Sequence, residues 1–374
     1  MGKKVRLATV FSGIGAMEFA FKRLRISHEI VFACDNGERE IEYDIEKERK
    51  KIYSLKSIEE KKKYADSLYA NKTKQHNYVQ ESYLANYEMN ENRYFQDIVL
   101  LDGRDFKNKV DLFVGGSPCQ SFSSVGFQAG LDDTRGTLFY EFARLVKEIQ
   151  PNVFIYENVR NLLNHDKGKT WSVIKSVFDS LNYDLKFDVL NASDYGIPQT
   201  RRRLIVVGTK KKLKANYEFP PKTKKLKYKM KDFTINNCIE GGLSYDKNGD
   251  LKFSKKKGIP DDKYTLSPLL YKYVMNGGTK TFYTRPKINL DIARTLLKTM
   301  GNRHRAGVDN YVSFDGTEKL GSVRMLTERE AHRLMGFTDD YKIVVSRAQA
   351  YKQAGNSIVV DVLMNILKNL LDIL

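Results

Sequence analysis

Val110-Asp111-Leu112-Phe113-Val114-Gly115-Gly116-Ser117-Pro118-Cys119-Gln120 decides how this chain is to be read. A short apolar run breaks into two glycines and a proline, the pattern of a buried strand that ends in a loop carrying a thiol. A second run, Val153-Phe154-Ile155-Tyr156-Glu157, ends on a carboxyl 38 positions after Cys119. In an open parallel sheet such strand ends share one edge, where ligand crevices form. Cys119 and Glu157 are therefore expected to face one substrate, as nucleophile and proton donor.

Outward from that pair, β-branched or aromatic runs at 7–11, 29–34, 112–115, 153–157, 183–191 and 203–208 alternate with helix-period segments. The alternation is that of βαβ units, so the expected fold is α/β, with a doubly wound parallel sheet between helices. Residues 38–80 interrupt it with charges of both signs and few apolar anchors, which reads as an exposed, peripheral helical insertion. From Lys210 the texture changes, with ten lysines between Lys210 and Lys231 and Pro220-Pro221 among them. The stretch 211–344 is expected to form a smaller, irregular second domain and hinge. An apolar helix period after Gly355-Asn356-Ser357 is expected to return 345–374 to the first domain, 1–210.

The 374 residues carry 64 Lys and Arg against 46 Asp and Glu, a net charge of +18. That excess implies a polyanionic partner, nucleic acid foremost, or a compositional bias toward lysine. Cys34, Cys119 and Cys238 are too few and too scattered for a disulfide framework or a zinc site, so no metal and a reducing, cytoplasmic setting are expected. Met1-Gly2-Lys3-Lys4 leads straight into a strand, and no stretch approaches the roughly 18 apolar residues of a membrane span.

Phe11-Ser12-Gly13-Ile14-Gly15 follows the first strand and opens a helix, so its glycines are expected to bring backbone N–H groups against a ligand. Asp35, ending the second strand, is placed to accept from a ribose diol, and Asp97 in Tyr94-Phe95-Gln96-Asp97-Ile98 to accept from an adenine amino group. These residues point to an adenosine-containing cofactor. A dinucleotide fingerprint requires a third glycine where this chain has Glu18, and no histidine marks a hydride site. S-adenosylmethionine fits better than a nicotinamide dinucleotide.

Phe11-Ser12-Gly13-Ile14-Gly15, Pro118-Cys119-Gln120-Ser121-Phe122-Ser123, Glu157-Asn158-Val159, Gln199-Thr200-Arg201-Arg202-Arg203 and Gly355-Asn356-Ser357 occur in the order characteristic of DNA (cytosine-5)-methyltransferases. The chain resembles the bacterial restriction-modification members of that family. The resemblance implies a Rossmann-like methyltransferase sheet with a second, smaller, irregular DNA-recognition domain. It implies methyl transfer from S-adenosylmethionine to C5 of a flipped-out cytosine in a short DNA sequence, through a covalent bond between Cys119 and C6.

By the same resemblance, Glu157 donates to or bonds the cytosine N3, Arg203 binds O2, and Arg201 steadies the Cys119 loop and the DNA backbone. Cofactor contacts fall to Phe11, Ser12, Gly13, Ile14, Gly15, Asp35, Asn36, Asp97, Ile98 and Pro118, with Asn356 and Ser357 at a helix N-terminus on the methionine end. Ser123, Val125, Phe127, Gln128 and Arg135 belong to a loop expected to close over DNA, with Val125 and Phe127 filling the space the base leaves. Thr295 matches the threonine that positions the target phosphate or the recognition loop. The implied partner is double-stranded DNA, bound by a monomer, with a cognate restriction endonuclease acting separately. An RNA (tRNA) cytosine methyltransferase shares these motifs. A catalytically silent DNA-binding protein would keep the fold, though here every catalytic position is filled.

Overall fold

The computed structural model describes residues 4–118, 138–222, 225–278, 283–302 and 305–374. Cys119, Ser123, Val125, Phe127, Gln128 and Arg135 lie outside the described residues. Among the described residues, one sheet holds β1 (Val5–Val10), β2 (His28–Cys34), β3 (Tyr94–Phe95), β4 (Leu112–Gly115), β5 (Val153–Val159), β6 (Tyr183–Asn191) and β7 (Arg202–Lys210). Their order is β3-β2-β1-β4-β5-β7-β6. Because β1 pairs in parallel with both β2 and β4, the winding reverses there, which opens a crevice beyond the strand ends.

The expectation of a wholly parallel sheet is corrected at one strand: β7 runs antiparallel to both β5 and β6. The connection 192–201 is shorter than the crossover of about a dozen residues that a parallel pair needs, so the chain turns back as a hairpin. Side chains alternate between two apolar layers with the strand period of two. Leu112, Val114, Val153, Ile155, Ile205 and Val207 join the layer of α1 (Ala16–Leu24), whereas Phe113, Phe154, Tyr156, Leu204 and Val206 join the layer of the helix Leu138–Ile149. Burial on both faces makes β4 and β5 read as unbroken apolar runs.

The segment expected to be peripheral folds as α2 (Ile45–Ser54), α3 (Ile58–Lys72) and α4 (Tyr78–Asn86), with Asp44, Ser57 and Asn77 accepting at their N-termini. It is not peripheral. Lys61 is buried and its Nζ donates to Asp102 at 2.8 Å and Asp105 at 2.8 Å, while Arg49 reaches Glu141 at 2.7 Å on α5 (Leu138–Ile149). The segment is bound both by charges that find partners on the sheet domain and by a small apolar cluster of Ile52 and Ala65 with Leu100. On the same face of the sheet as α5 lies α6 (Lys169–Asp179).

Beyond β7 regular structure is sparse: hairpin pairs β8 (Leu243–Tyr245) with β9 (Leu251–Phe253) and, further on, β10 (Tyr311–Ser313) with β11 (Val323–Met325), and the short helices α7 (Pro268–Val274) and α8 (Glu328–Arg333). Buried arginines supply donors to backbone that no ladder satisfies. Arg333 donates to the carbonyls of Phe233 at 3.1 Å and Cys238 at 2.9 Å and pairs with Asp339 at 2.7 Å. The chain closes with α9 (Arg347–Asn356) and α10 (Val360–Lys368). Arg23 of α1 pairs with Asp361 of α10 at 2.8 Å, and Phe19 packs on Phe337 with ring centres 5.1 Å apart. Asn356 and Ser357 therefore sit at the C-terminal end of α9, not at a helix N-terminus as expected, because α9 begins well before the glycine from which a helix was read.

Candidate active site

Gly115 of β4 stands opposite Tyr156 of β5 in parallel register, so the residues after both strands meet at one edge. Ser117 Oγ lies 2.7 Å from the Tyr156 hydroxyl. Asn158 Nδ2 donates to the Ser117 carbonyl at 3.0 Å and to the Tyr156 hydroxyl at 2.9 Å. At Gly116 a Cβ would stand 2.8 Å from the Glu157 carbonyl oxygen and 2.8 Å from Glu157 Oε2. Residues 116–118, the stem that leads to Cys119, are thus locked against the strand that carries Glu157.

Across the β5–β7 ladder Glu157 faces Ile205, which makes Arg203 its diagonal neighbour on the same face. Arg203 Nε stands 3.0 Å from Glu157 Oε1, and the two side chains are only 19% and 15% exposed. Burial raises the Glu157 carboxyl above its ordinary value, and the Arg203 and Arg201 guanidiniums pull it back. The result is a carboxyl that holds its proton more tightly than an exposed one, beside a guanidinium that has five N–H donors. That pair can meet a ring nitrogen and its neighbouring carbonyl together.

Arg201 behaves otherwise. Its side chain is buried and donates to the carbonyls of Leu296 at 2.9 Å, Gly355 at 2.8 Å and Ser357 at 2.8 Å. The expected contact with a DNA backbone is corrected, because the irregular segments at 296 and 355–357 turn their carbonyls inward and this guanidinium satisfies them. Thr295 Oγ1 donates to the Thr200 carbonyl at 2.5 Å, and Thr200 N donates to the Ala293 carbonyl at 2.8 Å. The threonine is thereby laced to the strand end that bears Arg201 and Arg203.

Beyond β1, β2 and β3 lies a cleft of about 540 Å³. Phe11, Asp35, Asn36, Asp97, Ile98 and Pro118 line it, as do Glu38, Glu40, Gln96 and Lys298, which no sequence motif marked. Asp35 Oδ2 accepts from Gly13 N at 2.9 Å and Oδ1 from Gly37 N at 2.8 Å, while Gly15 N donates to the Ser12 carbonyl at 3.0 Å. The glycine N–H groups expected to face a ligand are therefore used within the protein, where they aim Asp35 into the cleft. Ser12 Oγ accepts from Cys34 N at 3.0 Å, Ile14 is buried, and a Cβ on Gly15 would collide with the Tyr87 ring. None of these three lines the cleft. At its rim Asn356 Nδ2 donates to Glu38 Oε1 at 2.7 Å.

Asp97 Oδ1 accepts from Val99 N at 2.8 Å, and Oδ2 accepts from the Tyr43 hydroxyl at 2.6 Å and the Tyr69 hydroxyl at 3.1 Å. The two tyrosines were invisible as site residues, and their only sequence signal is an aromatic ring within a charged segment. Two carboxylates along a cleft walled by Phe11 and Ile98 offer acceptors for a sugar diol and a base amine, so the lining fits the adenosine half of the expected cofactor. Cys34, which also lines the cleft, is a buried thiol whose pKa burial pushes well up, which disfavours the thiolate.

Comparison with known proteins places this site among relatives. The family model described as C-5 cytosine-specific DNA methylase matches residues 61–372. The Type II methyltransferase M.SsoII of Shigella sonnei is 36% identical over 287 residues, covering 74% of this chain and 68% of that protein. M.HhaI of Haemophilus parahaemolyticus, also a Type II methyltransferase, is 35% identical over 268 residues, covering 70% of this chain and 75% of its own. Among solved structures, the Dnmt2 methyltransferase of S. pombe superposes with a TM-score of 0.66 at 17% identity, over 99% of both chains, a likeness of fold.

Proposed function

The chain belongs to the C-5 cytosine-specific DNA methylase family, and from that premise we propose how its residues divide the work of methylating cytosine at C5 in DNA. The family uses S-adenosylmethionine, which when bound supplies an electrophilic sulfonium methyl group. In our reading Asp35 and Asp97 take the ribose and adenine of that cofactor, Phe11 and Ile98 wall it, and Asn356 borders its amino-acid end. The cleft lining supports this, since acceptors and apolar walls alternate as adenosine requires.

Cys119 is the proposed nucleophile. Its thiolate adds to C6 of the target cytosine, Glu157 gives a proton to or bonds N3 as charge builds on the ring, and Arg203 holds O2. The ring, now enamine-like, accepts the methyl group at C5. Loss of the C5 proton to water, departure of the thiolate and return to Glu157 of any proton given to N3 then restore the neutral aromatic ring. The observation that carries this division of labour is the Glu157–Arg203 pair, 3.0 Å apart beside the locked stem at 116–118. Cytosine cannot be reached from both faces within a duplex, so the reading includes extrusion of the base.

Residues 211–344 are proposed as the DNA-recognition region and hinge, with 1–210 and 345–374 as the catalytic domain. Kinship with Type II methyltransferases supports a protective role alongside a restriction endonuclease of the same specificity. A cytoplasmic monomer acting on chromosomal DNA completes the proposal; among the described residues no helix is long and apolar enough to cross a membrane. The test is incubation of unmethylated genomic DNA with protein and S-adenosylmethionine, followed by bisulfite sequencing, with Cys119→Ala alongside. Cytosines protected within one short motif, and unprotected with the variant, are expected. Equal protection by the variant would remove Cys119 from the reaction, and protection appearing only in RNA would overturn the choice of substrate.

A further inference from the structure

The reaction of the family does not call for residues 38–80, yet two of their hydroxyls bond a carboxylate that lines the cofactor cleft. We propose that Tyr43 and Tyr69 are positioning residues that aim the Asp97 carboxylate at the amine of an adenine base. The proposal rests on the cofactor reading above and deepens it. Both hydroxyls converge on one oxygen, Tyr43 at 2.6 Å and Tyr69 at 3.1 Å from Asp97 Oδ2, and they arrive from different elements, the chain before α2 and the helix α3. A carboxylate oxygen has about two lone-pair directions, so Oδ2 is filled. Oδ1 accepts the Val99 N–H at 2.8 Å and keeps one direction. Asp97 is otherwise buried and lines the cleft, so its remaining capacity to accept lies where a ligand would sit.

An ionised carboxylate is a stronger acceptor for an amine N–H than a neutral carboxyl. Burial raises the Asp97 carboxyl, while the donors Tyr43, Val99 and Tyr69 oppose that rise. Both phenols are themselves raised by burial and by Asp97, so they remain donors throughout the physiological range. Phenylalanine would fill the same space; two hydroxyls on one oxygen serve orientation and charge rather than packing. The pillar is held firmly, because Lys61, two turns before Tyr69 on α3, is bound to Asp102 and Asp105, and the Arg39 guanidinium lies 5.0 Å over the Tyr69 ring.

Calorimetric titration of the full chain and its tyrosine variants with S-adenosylhomocysteine and with S-inosylhomocysteine, in which a carbonyl replaces the amine and N1 gains a hydrogen, probes the contact. The wild-type chain is expected to prefer the adenosyl ligand by about tenfold or more. The double variant Tyr43→Phe, Tyr69→Phe is expected to lose most of that preference through weaker adenosyl binding, with inosyl binding unchanged to within about twofold. Tyr64→Phe removes a hydroxyl that the same helix directs at Glu48, away from the cleft, and should keep the full preference. Retention of the preference in the double variant, or equal loss of both affinities, overturns the proposal. If the double variant does not fold, the two single variants are read by the same criteria. A wild-type chain that binds both ligands equally overturns the assignment of Asp97 to adenine together with the proposal, and one that binds neither overturns the cofactor reading itself.

Discussion

Arg203 and Glu157 share a 3.0 Å ion pair on diagonal positions of antiparallel strands, and each sets the state of the other. Arg203→Ala removes an influence that lowers the Glu157 carboxyl, so its pKa should rise further. The alkaline limb of the methylation pH profile should move upward, while the rate falls about 10²–10³-fold from loss of a donor to the ring oxygen. Arg203→Lys keeps the charge but not the planar fork and should recover only part of the rate. Steady-state kcat/KM measured against pH checks both effects; an unshifted limb separates the pair from the chemistry.

Gly116→Ala should disturb the site without removing any polar group. The added methyl must displace the Glu157 backbone or its carboxylate, each 2.8 Å away, at a cost of about 1–3 kcal/mol. Methylation should fall more steeply than melting temperature, because the shift is delivered at Glu157. Full activity in a variant that melts normally would show that the stem relaxes freely.

His332 makes stability depend on pH. Nδ1 donates to the Glu328 carbonyl at 2.7 Å, Nε2 has no partner among the described residues, and burial lowers the ring from 6.5 to about 4. The unfolded chain takes up this proton at higher pH than the folded one. The group's contribution is therefore complete above 6.5, declines as the pH falls, and is lost below about 4. Its size is on the order of 3 kcal/mol. Denaturant titrations at pH 7.5 and pH 4.5 should show the loss, and His332→Phe should reduce the difference; an identical difference in the variant would assign the acid sensitivity elsewhere.

Arg201→Met should cost about 3 kcal/mol or more, since three buried carbonyls lose their donor. Arg201→Lys should not restore stability, because an ammonium cannot span the three acceptors. Thermal melts of both variants test this, and a lysine variant as stable as wild type would contradict the geometry.

With a net charge of +18, DNA binding should be steeply salt-dependent. If six or more phosphates are contacted, affinity falls by about 10³-fold or more between 50 and 200 mM salt. Filter binding across that range reads the number of contacts directly, and a flat response would assign the lysine excess to composition alone.

How much of this was legible in the sequence depended on how local the cause was. β4 and β5 were readable because burial on both faces writes an unbroken apolar run, and Glu157 because it ends one. The two-residue strand Tyr94–Phe95 had no such signature, since only pairing with β2 makes it a strand. The reversed direction of β7 was encoded in the brevity of 192–201, not in its own residues. Arg201 and Arg203 look alike in the sequence; they differ because the carbonyls of 296, 355 and 357, distant along the chain, claim one of them. The charged segment 38–80 looked peripheral because its apolar anchors are few, Ile52 and Ala65 among them, and the rest of its attachment is by ion pairs and phenol hydroxyls, whose partners no periodicity announces.

The Arg201 clamp also orders the protein in time. Its carbonyl partner at Ser357 lies 156 positions downstream, and Asp361 lies 338 positions beyond its partner Arg23. At a ribosomal pace of roughly 5–20 residues per second, about 8 to 30 s separate the synthesis of Arg201 from that of Ser357. Throughout that interval the strand end bearing Arg203 has no closing segment to lean on, and the nascent sheet domain is open to chaperones and proteases. A translation product arrested before α9 and α10 would therefore carry Glu157 and Arg203 without the segments whose carbonyls hold Arg201.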